Sequence, residues 1–171
     1  MGCPSALLSA FRDVVGRGLD WDKTASLVAD ALRALLPSPA DLMAPSLCVG
    51  DPSGYQSHLV HCEPDGCFSV AAMVWLPGQQ TPIHDHVSWC VTAVLTGAEC
   101  EEVFAAEADG LRLLDQRVNK AGSVSGFAPP GDIHRVRNCG SVVAISMHVY
   151  GADISRLGNS IRREYTLPVI S

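Results

Sequence analysis

The sequence predicts a mainly β protein, a jelly-roll-like β-barrel preceded by an N-terminal helical segment. Three observations predict it. From about residue 55 onward, short runs rich in Val, Ile, Leu and Phe are punctuated by Gly, Pro, Asn and Asp at fairly regular intervals, the rhythm of an antiparallel sandwich or barrel. Ahead of that point, apolar residues recur at three-to-four spacing, which is helical. A chain of 171 residues, 47% of them hydrophobic, is also long enough to bury the core of one domain and too apolar for disorder.

The helical segment covers about residues 5–36. Leu27, Val28, Ala31, Leu32, Leu35 and Leu36 form one apolar stripe. Asp20 or Asp22 can cap its start, and Pro37 with Pro39 ends it. Gly16 and Gly18 set apart a shorter first helix at 5–15. The barrel covers about residues 55–150, with strand-like runs at 67–76, 89–95, 98–105, 111–119, 123–128, 133–138 and 142–150. Pro77-Gly78, Asp109-Gly110, Pro130-Gly131 and Cys139-Gly140 supply turns. Residues 151–171 read as a C-terminal extension. With no repeat and no linker, the chain reads as a single domain, 1–171.

Twelve basic residues against eighteen acidic ones give a formal charge of −6, which disfavours phosphate backbones and anionic membrane surfaces. Nucleic acid and membrane are therefore not expected partners. The seven cysteines are odd in number and scattered. No secretory leader or bilayer-length apolar stretch is legible, and Ala6 stands where a myristoylation signal needs Ser or Thr. The expectation is a cytoplasmic protein with reduced thiols. The oligomeric state is left open.

The segment Thr81-Pro82-Ile83-His84-Asp85-His86 carries the chemistry. Side chains at i and i+2 leave the same face of a strand, so both imidazoles can enter one cavity, and imidazole suits iron, zinc, copper or nickel. Such a pair alone is weak evidence, since most are surface or core residues. Its surroundings are more specific. Gly78, five residues, His84-x-His86, three residues, Cys90, six residues and Gly97 resemble the first motif of the cupin superfamily, with Cys90 in place of the usual glutamate. Gly122…Pro129-x-Gly131-x-x-His134-x-x-x-Asn138 resembles the second, with one extra residue after Gly122. The resemblance covers about residues 70–150 and implies a cupin barrel in which His134 is the third ligand. Asp85 leaves the opposite strand face from its neighbours and cannot easily replace the missing acid. Three neutral imidazoles leave an ion with its full charge and open positions, which suits an anionic, chelating substrate and O2.

The last barrel strand reads Ser146-Met147-His148-Val149-Tyr150, its three polar residues sharing one face. One reading is a core strand with a satisfied histidine. The other is that it resembles the Ser-x-His-x-Tyr of the thiol dioxygenases, the cysteine dioxygenase family. His84-Asp85-His86 followed by Trp89, and Gly131-Asp132-Ile133-His134-Arg135-Val136-x-Asn138, are similar to the bacterial members, among them 3-mercaptopropionate dioxygenases. The resemblance implies an Fe(II) enzyme of sulfur metabolism that adds O2 to the sulfur of a small thiol carboxylate, giving a sulfinic acid. It implies that Tyr150 holds its hydroxyl near the metal and that His148 and Ser146 orient that phenol. Mammalian-type members join a cysteine matching Cys90 to this tyrosine by a thioether; here a Cys90–Tyr150 bond and a simply buried thiol both stay open.

Cysteine-oxidising members of this family hold the substrate carboxylate with an arginine in a Tyr-x-Arg pattern, whereas this chain has Tyr55-Gln56-Ser57-His58. That departure puts cysteine in doubt as the substrate. Some bacterial mercaptopropionate dioxygenases use an arginine beyond the last barrel strand, where Arg156, Arg162 and Arg163 lie here; the planar guanidinium matches a carboxylate, and solvent exposure is the alternative for each. Gln56 and His58 are candidates by position. Trp75 and Trp89 read as core or cavity-wall aromatics, with Trp89 a candidate substrate contact. Glu99, Glu101 and Glu102 are expected to face solvent, and Cys62 and Cys67 fit no structural zinc spacing. A Lewis-acid cupin isomerase or lyase, an oxygenase with another sulfur product, and a non-catalytic metal or ligand binder remain the competing classes.

Overall fold

A computed structural model describes residues 2–170. Helices α1 (Ser5–Val15), α2 (Trp21–Ala34) and the short α3 (Pro39–Leu42) precede the barrel. Its strands are β1 (Gln56–Cys62), β2 (Ser69–Trp75), β3 (Ile83–His86), β4 (Cys90–Thr96), β5 (Ala98–Ala106), β6 (Leu111–Lys120), β7 (Val124–Phe127), β8 (His134–Asn138) and β9 (Ala144–Tyr150). A one-turn helix α4 (Ile154–Leu157) leads to β10 (Ile161–Tyr165) and β11 (Val169–Ile170).

Two sheets face each other, ordered β1-β2-β9-β4-β7 and β10-β3-β8-β5-β6-β11. The pairings are antiparallel except for β11 against β6. β2 and β9 are buried along their whole length because helices cover one face and the second sheet the other; β2 reads as an almost unbroken apolar run, while β9 alternates Ser146, His148 and Tyr150 with Ile145, Met147 and Val149. On the outer face Val70, Val91, Met147 and Val149 pack against Leu7, Phe11, Val28 and Leu32. Asp20 caps α2, its carboxylate accepting the Lys23 N–H at 2.8 Å, while Asp22 lies in the first turn. The helix stops at Ala34, leaving Leu35 and Leu36 exposed. Gly97 turns β4 into β5 at φ +74°, where an added Cβ would lie 2.9 Å from Ala144 Cα; both the conformation and the space call for glycine.

Two expectations are corrected. The C-terminal residues are not an appendage: β10 pairs with the histidine strand β3 and β11 with β6. The charged run Arg162-Arg163-Glu164 carries no apolar alternation, so nothing in it signals a strand. The thiols are not all reduced: Cys100 on β5 and Cys139 just beyond β8 are disulfide-bonded, Cα atoms 5.6 Å apart. Register sets Cys100 opposite Arg137, two residues before Cys139, a proximity hidden by 39 residues of sequence separation. The remaining five cysteines are free. Among the described residues, no helix is long and apolar enough to cross a membrane.

Candidate metal centre

β3 and β8 lie side by side, and His84 and His134 are direct register partners. His86, two residues along, shares their face. The three buried side chains bring their ligand atoms within 4.8 Å of one another. Each Nδ1 faces a group that can only accept a hydrogen bond: His84 the Pro82 carbonyl at 3.0 Å, His86 Asp132 Oδ2 at 3.1 Å, and His134 Glu101 Oε1 at 2.8 Å. Each Nδ1 therefore carries the proton, which leaves three Nε2 lone pairs for an ion. Burial, then the two neighbouring imidazoles, holds His84 down to about 3, and burial also lowers His86. These rings stay neutral and able to ligate. The donor set fits a divalent transition ion.

Two carboxylates that support the rings escaped the sequence reading. Burial pushes Glu101 upward, but its hydrogen bond to His134 and the positive charge nearby hold it below the usual range. Asp132 behaves alike: burial raises it, and hydrogen bonds from the His86 side chain and backbone N–H outweigh that. The expectation that Glu99, Glu101 and Glu102 face solvent is corrected. Glu99 and Glu101 are buried, while half-buried Glu102 pairs with Arg135 at 2.6 Å. The run Glu99-Cys100-Glu101-Glu102 is polar on both strand faces, so alternation could not tell inside from outside. Asp132 lay within the quoted motif without a role; its place two residues before His134 was the available signal.

A cavity opens over the three imidazoles, and Cys90, His148 and Tyr150 also line it. On β9 the Tyr150 hydroxyl is 3.0 Å from His148 Nδ1, His148 Nε2 is 3.0 Å from Ser146 Oγ, and the Trp75 indole N–H donates to Ser146 Oγ at 3.2 Å. Burial lowers His148 to about 3 and pushes Tyr150 well up. Cys90 on β4 is the register partner of Tyr150, and burial raises its thiol.

The family model for cysteine dioxygenase type I matches residues 28–159. The chain belongs to that family. Two solved structures share its cupin fold. One is a recombinant oxalate oxidase in complex with glycolate, with a TM-score of 0.50 at 20% identity over 61% of this chain and 54% of that one. The other is an oxalate oxidase in complex with the substrate analogue glycolate, at 0.51 and 18% over 71% and 60%. This cysteine dioxygenase family member thus spans little over half the length of those chains, and the likeness concerns the barrel alone.

Among the described residues no arginine lines the cavity, and five expected substrate contacts are corrected. Arg162 turns onto the buried Asp85, which leaves the far face of β3 and also accepts from the Tyr165 hydroxyl at 2.9 Å. Arg163 stacks over the Tyr165 ring at 4.6 Å. Arg156 is exposed near Asp153. Gln56 points away, its amide donating to the Gly54 carbonyl at 3.1 Å; strand alternation gives the cavity its neighbours Tyr55 and Ser57 instead. Trp89 is packed in the core beneath the helices, and Trp75 is the tryptophan of the cavity wall. His58 lies on the outer side of β1, by a separate cleft with Leu59 and Val60. The cavity's remaining polar lining comes from Thr81, Thr92, Asn159 and Ser160, and no arginine or lysine lines it. Cys62 is within 3.2 Å of Asp153 Oδ1, and among the described residues the three histidines are the one group arranged to hold a metal.

Proposed function

We propose that this protein is an iron(II)-dependent thiol dioxygenase that adds both atoms of O2 to the sulfur of a small thiol carboxylate, yielding a sulfinic acid. The observation that carries this reading is one cavity onto which a three-histidine site and the Ser146–His148–Tyr150 chain both open. His84, His86 and His134 would hold the ion, and bound there it supplies a centre at which a thiolate and O2 can meet.

The chain's own residues do the rest. Tyr150 presents its hydroxyl to the cavity, where it can hydrogen-bond substrate. His148 and Ser146 fix the phenol's direction from behind. Met73, Trp75, Phe127, Val136, Ile154 and Ile161 give the cavity apolar walls, which keep water from the reacting sulfur. With the three arginines engaged elsewhere, a substrate carboxylate is met by the hydroxyls of Tyr55, Tyr150 and Ser160 and by an ion whose charge no anionic ligand offsets. That arrangement supports a short thiol acid over cysteine, whose ammonium group finds no carboxylate among the cavity-lining residues.

The test is anaerobic loading with iron(II), followed by O2 uptake against a panel of small thiols with product analysis. Thiol-dependent uptake with stoichiometric sulfinate is the expected result. Uptake with a different sulfur product, turnover without O2, or binding without turnover would each overturn it.

A further inference from the structure

The disulfide between Cys100 and Cys139 ties β5 to the end of β8, and the proposed chemistry makes no use of it. Burial alternates along both strands. Cys100 and Glu102 on β5, with Arg135, Arg137 and Cys139 along β8 and just past it, lie on the outer face, where Arg137 and Cys139 are exposed. Their neighbours Glu99, Glu101, His134, Val136 and Asn138 are buried on the inner face. The residues beside each cysteine therefore serve the site. Glu101, next to Cys100, holds His134 Nδ1 at 2.8 Å. Asn138, next to Cys139, donates to the Trp75 carbonyl at 2.9 Å and the Val142 carbonyl at 2.8 Å, and the turn it holds runs into β9.

The bond also lies at the weak end of the strand pair. The β5–β8 ladder ends at Glu99 and Asn138, each adjacent to one of the two cysteines. Glu99 is buried there, and its Oε1 has no hydrogen-bond partner among the described residues. A buried polar atom left unpaired is costly, so the covalent link closes a ladder end that this carboxyl loosens.

We propose that the Cys100–Cys139 bond is a redox-sensitive tether that sets how tightly the three histidines hold their ion. Closed, it keeps Glu101 against His134, which fixes the ring and its proton on Nδ1. Opened, it frees the ladder end, Glu101 spends part of its time away from His134, and affinity falls. The effect is local, because β5 keeps its pairing with β6 along its whole length and its pairs with β8 from Cys100 to Val103. The proposal rests on the metal site and not on the oxidation of a thiol there.

Exchange with a small thiol opens the tether, and exposed disulfides are the labile ones. A thiolate attacks Cys139 Sγ, the S–S bond breaks, and Cys100 departs with the electron pair and takes a proton from water. Arg137, the register partner of Cys100 on the outer face, favours both an anionic attacker and the departing thiolate. A second thiolate attacks the small-thiol sulfur of the mixed disulfide, and Cys139 departs and is protonated in turn. Two small thiols become one disulfide, and the hydrogens they lose are matched by those the two cysteines gain.

The test compares the unaltered protein, kept oxidised or reduced with a phosphine and desalted without air, with Cys100→Ser/Cys139→Ser. Cobalt(II) affinity, read by competition with a chromogenic chelator, should fall about tenfold on reduction, the lower end of the loss that follows removal of a supporting contact. The double variant should show the lower affinity with or without the phosphine, which separates this bond from the five free thiols. In the metal-free protein with nitrogen-15 histidines, the ring hydrogen between His134 and Glu101 should exchange faster after reduction, while that between His86 and Asp132 keeps its rate. General loosening of the fold would quicken both. Equal cobalt affinity in the oxidised and reduced protein, or an equal change in both ring hydrogens, would overturn the proposal. If no ion binds at all, the metal centre itself is lost, and ring-hydrogen exchange still decides whether the bond positions Glu101.

Discussion

The Asp132 carboxylate holds His86 twice: its Oδ2 accepts the His86 backbone N–H at 2.9 Å and lies 3.1 Å from His86 Nδ1. One oxygen thereby fixes both the strand end and the ring of a metal ligand. Such supporting contacts set ring direction and ligand basicity, and losing one costs about 10–100-fold in metal affinity or activity. Asp132→Ala should weaken iron(II) or cobalt(II) binding by that factor, read by competition with a chromogenic chelator, while the far-ultraviolet spectrum keeps its β signature. Unchanged affinity would show that His84 and His134 suffice to define the site.

Glu99 also predicts a pH dependence of stability. Its carboxyl titrates at about 7 in the folded protein against an ordinary 4.5, so between those values the native state binds more protons than the unfolded one. Stability therefore falls as pH rises through this window, by an amount on the order of 3 kcal/mol for complete ionisation. Glu99→Gln carries no such cost. Its thermal midpoint should exceed that of the unaltered protein at about pH 8, and the gap should shrink towards about pH 5. A gap independent of pH would place the stabilisation elsewhere.

How much of this was legible depended on whether chemistry sat on a pattern. His84 and His86 announced themselves because a two-residue spacing on a strand has one geometric meaning, and the glycines around them framed a motif. The β2 run was readable because burial on both faces leaves it almost wholly apolar, and β9 because Ser146, His148 and Tyr150 alternate with Ile145, Met147 and Val149. Glu101 was not readable: its role comes from β5 lying beside β8, a relation between strands that sequence spacing does not carry. The arginines failed for a related reason. Residues 161–165 form a strand only because β3 offers an edge, and Asp85, pointing away from the metal site, is the partner that draws Arg162 out of reach of the cavity.

Asp85 supplies a stability prediction. Its carboxyl is buried, with Arg162 and the Tyr165 hydroxyl as partners, and together they fasten β10 to β3. Tyr165→Phe removes a hydrogen bond to a charged group, worth about 1.5–3 kcal/mol. Urea denaturation should show a loss in that range, and hydrogen exchange should quicken first in residues 161–165. Uniform exchange across the barrel would contradict a local fastening role.

The disulfide is checked by counting thiols. Purified under air and unfolded in guanidinium with no reductant, the chain should present five reactive thiols out of seven, and all seven after reduction. Cross-linking residues 39 apart restricts the unfolded chain, an effect typically of about 2–4 kcal/mol. Cys139→Ser should therefore lower the unfolding free energy by an amount in that range. Seven reactive thiols in the unreduced chain would remove the bond and this contribution together.

Cys90 and Tyr150 face each other across β4 and β9, both directed into the cavity, and both are buried with Ala71 in one small cluster. A thioether from Cys90 Sγ to the Tyr150 ring removes the thiol hydrogen and one ring hydrogen, with two electrons passing to O2 as oxidant. Burial raises the Cys90 thiol and disfavours its thiolate, so the bond is expected only where the loaded site meets O2. Intact mass after turnover with iron(II), thiol and O2 should show a population lighter by two hydrogens, absent from Cys90→Ser and from protein kept without metal. Cross-linking would also tie β4 to β9 beside the phenol, limiting how far Tyr150 can swing from His148. A mass unchanged after many turnovers would leave Cys90 as a packing residue and Tyr150 held by His148 alone.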